Sequence, residues 1–145
     1  MDRSKELREL TRKIERSLQK LNCSGMCSEK VTLTQCHALV EIGRMQTTSL
    51  KDLAQRLDLD VSTVSKTVEN LVKRKLVSRM PLKENRRMVA IQLTADGLDV
   101  FHRIEEDMDQ RFRNVMACIL KEEQAGLLIA LEMYNRALEG NDETQ

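Results

Sequence analysis

A chain of 145 residues with 24 Lys and Arg, 23 Asp and Glu and a hydrophobic fraction of 41% can bury one core, and none of its apolar runs approaches the ~20 residues of a membrane-spanning helix. Aromatic residues are only 2%, with one Pro and five Gly, so the core must be aliphatic and the scarcity of breakers favours long helices over a sandwich or barrel. Charge is segregated: residues 50–93 hold ten basic and five acidic residues, residues 94–145 five basic and twelve acidic, which suits the middle of the chain to meet a polyanion.

The N-terminal stretch is charged and amphipathic without a signal-peptide apolar segment, an expectation of a cytoplasmic protein whose four Cys are thiols. Leu7, Leu10, Ile14, Leu18 and Leu21 form one apolar stripe on a first helix ending near Asn22–Gly25. Thr32 and Gln35 fit a capping box opening a second helix, with Leu39, Val40 and Ile42 as its apolar residues and Gly43 as its expected stop. Ser49 and Asp52 repeat the cap pattern before a short helix carrying Leu50, Leu53, Ala54 and Leu57. Asp58-Leu59-Asp60 breaks it, and Asp60 or Ser62 caps the next helix. That helix would turn Val61, Val64, Val68, Leu71 and Val72 inward, and Ser62, Thr63, Ser65, Lys66, Glu69, Asn70 and Lys73 outward.

The apolar period then changes from 3.6 to 2. Val77 and Arg79 begin one strand, and Val89, Ile91 and Leu93 alternate along a second, with residues 81–87 read as a basic hairpin loop. Thr94 caps a long helix with Phe101, Ile104, Met108, Phe112, Val115 and Ile119 on one stripe, and Leu127, Leu131, Tyr134 and Leu138 mark a last one.

Two short helices followed by a basic two-stranded ribbon are the informative unit. A helix fits the major groove of DNA and presents side chains to base edges, while a preceding helix braces it. Ser62, Thr63 and Ser65 are small enough to allow close approach and could donate to phosphates or bases. Asn70, Lys66 and Lys73 lie on the same outward side, and Asn85, Arg86 and Arg87 sit at the ribbon tip, where arginines could enter a minor groove.

Leu50-Lys51-Asp52-Leu53-Ala54-Gln55-Arg56-Leu57, Ser62-Thr63-Val64-Ser65-Lys66, Leu71, Leu76-Val77, and Asn85-Arg86-Arg87 with Val89, Ile91, Leu93-Thr94 and Gly97 together resemble the MarR family of bacterial transcription regulators, over roughly residues 5–138. The resemblance implies a mainly α winged helix-turn-helix with a small β-hairpin wing. It implies a dimerisation helix and loop over 1–31, a DNA-binding lobe over 32–93 and C-terminal dimerisation helices over 94–145. It further implies a homodimer on a pseudo-palindromic operator in double-stranded DNA, a repressor released by a small molecule, a thiophilic metal or metalloid, or an oxidant, with no membrane partner and no required cofactor. Three positions depart from the family pattern. Asn85 stands where the wing commonly has Asp, Lys121 where a capping Thr or Ser is common, and Lys75 where Gly commonly ends the recognition helix. A non-Gly residue held left-handed at that last position costs on the order of 1 kcal/mol.

Cys23, Cys27 and Cys36 lie close in sequence, with His37 adjacent to Cys36. Three thiolates could hold a soft metal or metalloid, or form a redox pair. The other reading makes Cys36 and Cys118 small core residues and Cys23 and Cys27 incidental. No Gly-rich phosphate loop, His-Glu-x-x-His or nucleophile elbow occurs, so no enzymatic activity is expected. The alternatives to a DNA-binding regulator are a helical protein-interaction module and a thiol-based metal-binding protein without DNA binding.

Overall fold

The computed structural model describes residues 2–26, 31–82 and 85–142, without the side chains of residues 22–26, 85–87 and 142. Six helices and one hairpin follow in the order α1 (Arg3–Met26), α2 (Leu33–Met45), α3 (Leu50–Leu57), α4 (Val61–Lys73), β1 (Val77–Leu82), β2 (Asn85–Leu93), α5 (Ala95–Ala117) and α6 (Lys121–Asp142). This is the mainly helical winged architecture expected from the sequence. The chain forms two compact units, Met1–Asp107 and Met108–Gln145. Among the described residues no helix is long and apolar enough to cross a membrane.

In the first unit α2 is the central helix, touched by α1, α3, α4 and β2. Its capping box is present in full, with the Gln35 amide donating to Thr32 Oγ1 and the Thr32 amide donating to Gln35 Oε1, each at 3.2 Å. Leu39, Ile42, Leu53, Val64, Val68, Leu71 and Ile91 are essentially without solvent contact. Each aliphatic side chain so buried contributes about 1.5–3 kcal/mol. Gly43 does not end α2, which runs two residues further. It is needed for packing instead, because a Cβ there would stand 2.5 Å from the Phe101 ring of α5. The helix stops at Gln46, whose φ is 65°.

The hairpin pairs Val77 with Leu93 through Pro81 with Val89, and then shifts register so that Leu82 pairs with Asn85. The strands therefore reach further than expected, and residues 81, 82 and 85–87 belong to the ribbon rather than to a loop. Pro81 has no N–H to give the ladder and is tolerated beside an irregularity of this kind. A third short segment joins the ribbon: Thr48 and Ile91 exchange both backbone hydrogen bonds, at 3.0 and 2.8 Å. Nothing in the local pattern around Thr48 announced that pairing.

In the second unit Ile119 lies past the end of α5. Lys121 begins α6 in place of the common Thr or Ser. The junction is held by Gln124, whose Nε2 donates to the carbonyls of Met116 at 3.2 Å and Ile119 at 3.1 Å. Cys118 is exposed in this turn, against its expected place as a small core residue, since a two-helix unit has no interior at its corner to hold it.

Candidate nucleic-acid interface

The site is built on α3, the turn after it, and α4. Ser49 caps α3 by accepting from the Asp52 amide at 3.1 Å. Asp58 ends the helix in the left-handed region at φ 53°, a conformation to which Asp adapts better than most residues. The Leu59 amide then donates to the Ala54 carbonyl at 3.1 Å, so the chain reverses within three residues. Of the two expected caps for α4, Asp60 is the one used.

Asp60 binds the first turn of α4 three times. Its Oδ2 accepts from the Thr63 amide at 3.1 Å and from the Ser62 hydroxyl, and its Oδ1 accepts from the Thr63 hydroxyl at 2.6 Å. The Ser62 hydroxyl, followed by the Thr63 hydroxyl and amide, draws the Asp60 carboxyl down to about 2. A depressed carboxyl stabilises the fold above the ordinary carboxylate range, and that contribution fades as pH falls through about 2. The cap is therefore fully charged at neutral pH.

Downstream, Val64, Val68 and Leu71 are buried against the lobe, as expected, and Thr67 joins them, its hydroxyl donating to the Thr63 carbonyl at 3.1 Å. Val61 does not. It is 49% exposed at the first helical position, and Val72 is only half-buried. Ser62, Thr63, Lys66, Asn70 and Lys73 are exposed together on the opposite side, with Ser65 half-buried at its edge. Lys73 Nζ lies 3.8 Å from Glu69 Oε1, an exposed pair of little energetic weight.

The end of α4 is a Schellman turn. The Leu76 amide donates to Leu71 O at 3.0 Å and the Lys75 amide to Val72 O at 2.9 Å. Lys75 occupies the left-handed position at φ 62°, the strained residue anticipated from its place in the pattern. Lys75→Gly should therefore raise stability by up to about 0.5 kcal/mol, the relieved strain less the added freedom of the unfolded chain. A urea midpoint that falls in this variant would contradict the strain argument.

The same turn is clasped to α5. The Thr94 hydroxyl donates to the Lys75 carbonyl at 2.7 Å and accepts from the Gly97 amide at 3.0 Å, while the Thr94 amide donates to Leu76 O at 3.0 Å. One residue thus caps α5 and fixes the exit of α4. Its capping role was readable from sequence; its grip on residues 75 and 76 was not, because the partners lie 18 and 19 positions away.

Asn85, Arg86 and Arg87 lie on β2 of the ribbon, and their side chains fall outside the described residues. Cys27 also lies outside them, as does the side chain of Cys23, while Cys36 is buried at 1% exposure near the start of α2 with exposed His37 beside it.

A model of the MarR family matches residues 31–89. The chain is similar to the uncharacterized HTH-type transcriptional regulator YfiV of Bacillus subtilis, 24% identical over 109 residues, which are 75% of this chain and 68% of that one. It is 33% identical to the HTH-type transcriptional regulator YhbI of the same organism over 73 residues, 50% of this chain and 47% of that one. The matched stretch thus spans between about half and two thirds of these relatives' length. FabT of Streptococcus pneumoniae, crystallised in complex with DNA, superposes with a TM-score of 0.83 over 96% of this chain and 99% of that one, at 18% identity. At that identity the likeness establishes the fold.

Proposed function

From the match of residues 31–89 to the MarR family model, we propose that the chain is a winged-helix transcription regulator of that family and that it binds double-stranded DNA in a sequence-specific way through α4 and the wing. The observation that carries this reading is the outward side of α4, where Ser62, Thr63, Lys66, Asn70 and Lys73 are exposed on a helix braced by α3. Short polar groups admit the helix to a groove, and the lysines meet phosphates. Titrating a fluorescent duplex from upstream of the protein's own gene, against an unrelated duplex of equal length, tests the proposal. Preferential binding of the first supports it; equal affinity for both, or none for either, overturns it.

The proposal includes a homodimer. Leu7, Leu10, Ile14 and Leu18 on α1, Phe112 and Val115 on α5, and Leu131 and Leu138 on α6 are each 40–50% exposed in the single chain. Apolar surface left wet costs ~25 cal/mol per Å², and two-fold symmetry is the usual way to cover it. Sedimentation should give a dimer at micromolar concentration, with half-sites about one helical turn apart on DNA; a stable folded monomer would contradict it. A cytoplasmic, non-catalytic repressor that an effector releases completes the proposal. For the effector, a Cys→Ser variant at Cys23, Cys27 and Cys36 is titrated onto DNA with and without zinc, arsenite and peroxide. Identical responses from this variant and the parent would make the cysteines structural.

A further inference from the structure

The hydroxyls on the first turn of α4 have a fixed polarity, and this bears on which bases the helix accepts if it binds DNA as proposed above. A hydroxyl carries one hydrogen and two acceptor lone pairs. The Ser62 hydrogen points to Asp60 Oδ2 and the Thr63 hydrogen to Asp60 Oδ1 at 2.6 Å. The expectation that both side chains donate to bases or phosphates is therefore reversed. With their hydrogens committed, both oxygens offer outward only lone pairs.

We propose that Asp60 is a specificity-determining residue that makes Ser62 and Thr63 obligate acceptors, so that α4 selects bases carrying an amino group over bases carrying a keto group. In the major groove adenine offers N6–H and cytosine N4–H, whereas guanine offers O6 and thymine O4. An acceptor-only hydroxyl bonds with the first two and opposes the second two, lone pair against lone pair. Asp60 does this without touching a base. Charged carboxylate oxygens make the strongest claim on the two hydrogens. The same hydroxyl and amide donors hold the Asp60 carboxyl low, so at neutral pH it is ionised and has no proton to donate.

The test is selection from a randomised duplex library, with bound sequences compared between the parent dimer and Asp60→Ser. Serine still caps a helix, accepting from the Thr63 amide, but cannot take two hydroxyl hydrogens. The parent should show two positions in each half-site, one for each hydroxyl, where A or C is preferred over G or T by about 10-fold, the scale of a single lost base contact. In Asp60→Ser that preference should shrink to near equality while all other positions keep theirs. Thr63→Val should abolish one of the two preferences and leave the other.

Three outcomes overturn the proposal: an unchanged profile in Asp60→Ser; an even weakening at every position, which would give Asp60 a purely structural role; or loss of all binding with helix content retained. Should the parent itself select no sequence, the DNA-binding reading fails, and this inference with it. A loss confined to the Asp60 variants leaves that reading standing.

Discussion

Gly97→Ala is expected to destabilise the protein by about 3 kcal/mol or more, at or beyond the upper end of overpacking effects. An added Cβ would stand 1.9 Å from the Leu76 carbonyl oxygen and 2.9 Å from its carbon. Neither atom belongs to a side chain that can rotate away. Relief requires moving α5 off the turn that ends α4, which stretches the hydrogen bonds from Thr94 to Lys75 O and Leu76 O, now 2.7 and 3.0 Å. Against a total stability on the order of 5–15 kcal/mol, a loss of that size is readily visible as a lower urea midpoint. Gly43→Ala provides the contrast. Its Cβ would meet Phe101 ring atoms at 2.5–2.7 Å, but a half-buried ring can turn, so the loss should be smaller. A midpoint for Gly97→Ala equal to that of the parent would mean that the α4–α5 clasp is not built as described.

Lys66→Ala should lower affinity for a specific duplex about 10-fold or more and should do so evenly across sequences. Lys66 is exposed on the outward side of α4, one turn below Ser62 and Thr63, where the phosphate backbone passes a helix seated in the groove. Each phosphate contact contributes about 0.9 to the slope of log affinity against log salt. A dimer loses two such contacts, so its slope should fall by about 2. Arg86→Ala and Arg87→Ala should weaken binding as well without lowering thermal stability, since each lies on the terminal part of the ribbon. Lys121→Ala, at the start of α6, should change neither affinity nor slope. If Lys66→Ala leaves the slope unchanged, α4 does not meet the phosphates through this residue.

What the amino-acid order determined by itself is whatever depends on near neighbours. The caps at Thr32, Ser49 and Thr94 are side chains bonding to amides three residues on, so spacing is enough to name them, whereas for α4 it left Asp60 and Ser62 open until the folded turn chose Asp60. The inward set of Val64, Val68 and Leu71 follows from the 3.6-residue period, and so does the outward set of Ser62, Lys66 and Lys73. The strain at Lys75 was legible only through the family resemblance, which marks this as the place where Gly commonly ends the helix, and the turn does hold Lys75 left-handed there.

Only the tertiary structure decided what depends on the approach of distant segments. Gly43 reads as a helix stop until Phe101, 58 positions later, is found against it. Thr48 reads as a linker residue until Ile91 pairs with it. Val61 fits the inward pattern, yet lies half exposed at the first position of α4. The polarity of the Ser62 and Thr63 hydroxyls lies between these cases. Their neighbours were known from the sequence, but a hydroxyl hydrogen goes to the acceptor that the backbone brings nearest, and only the folded turn placed both oxygens of Asp60 within reach.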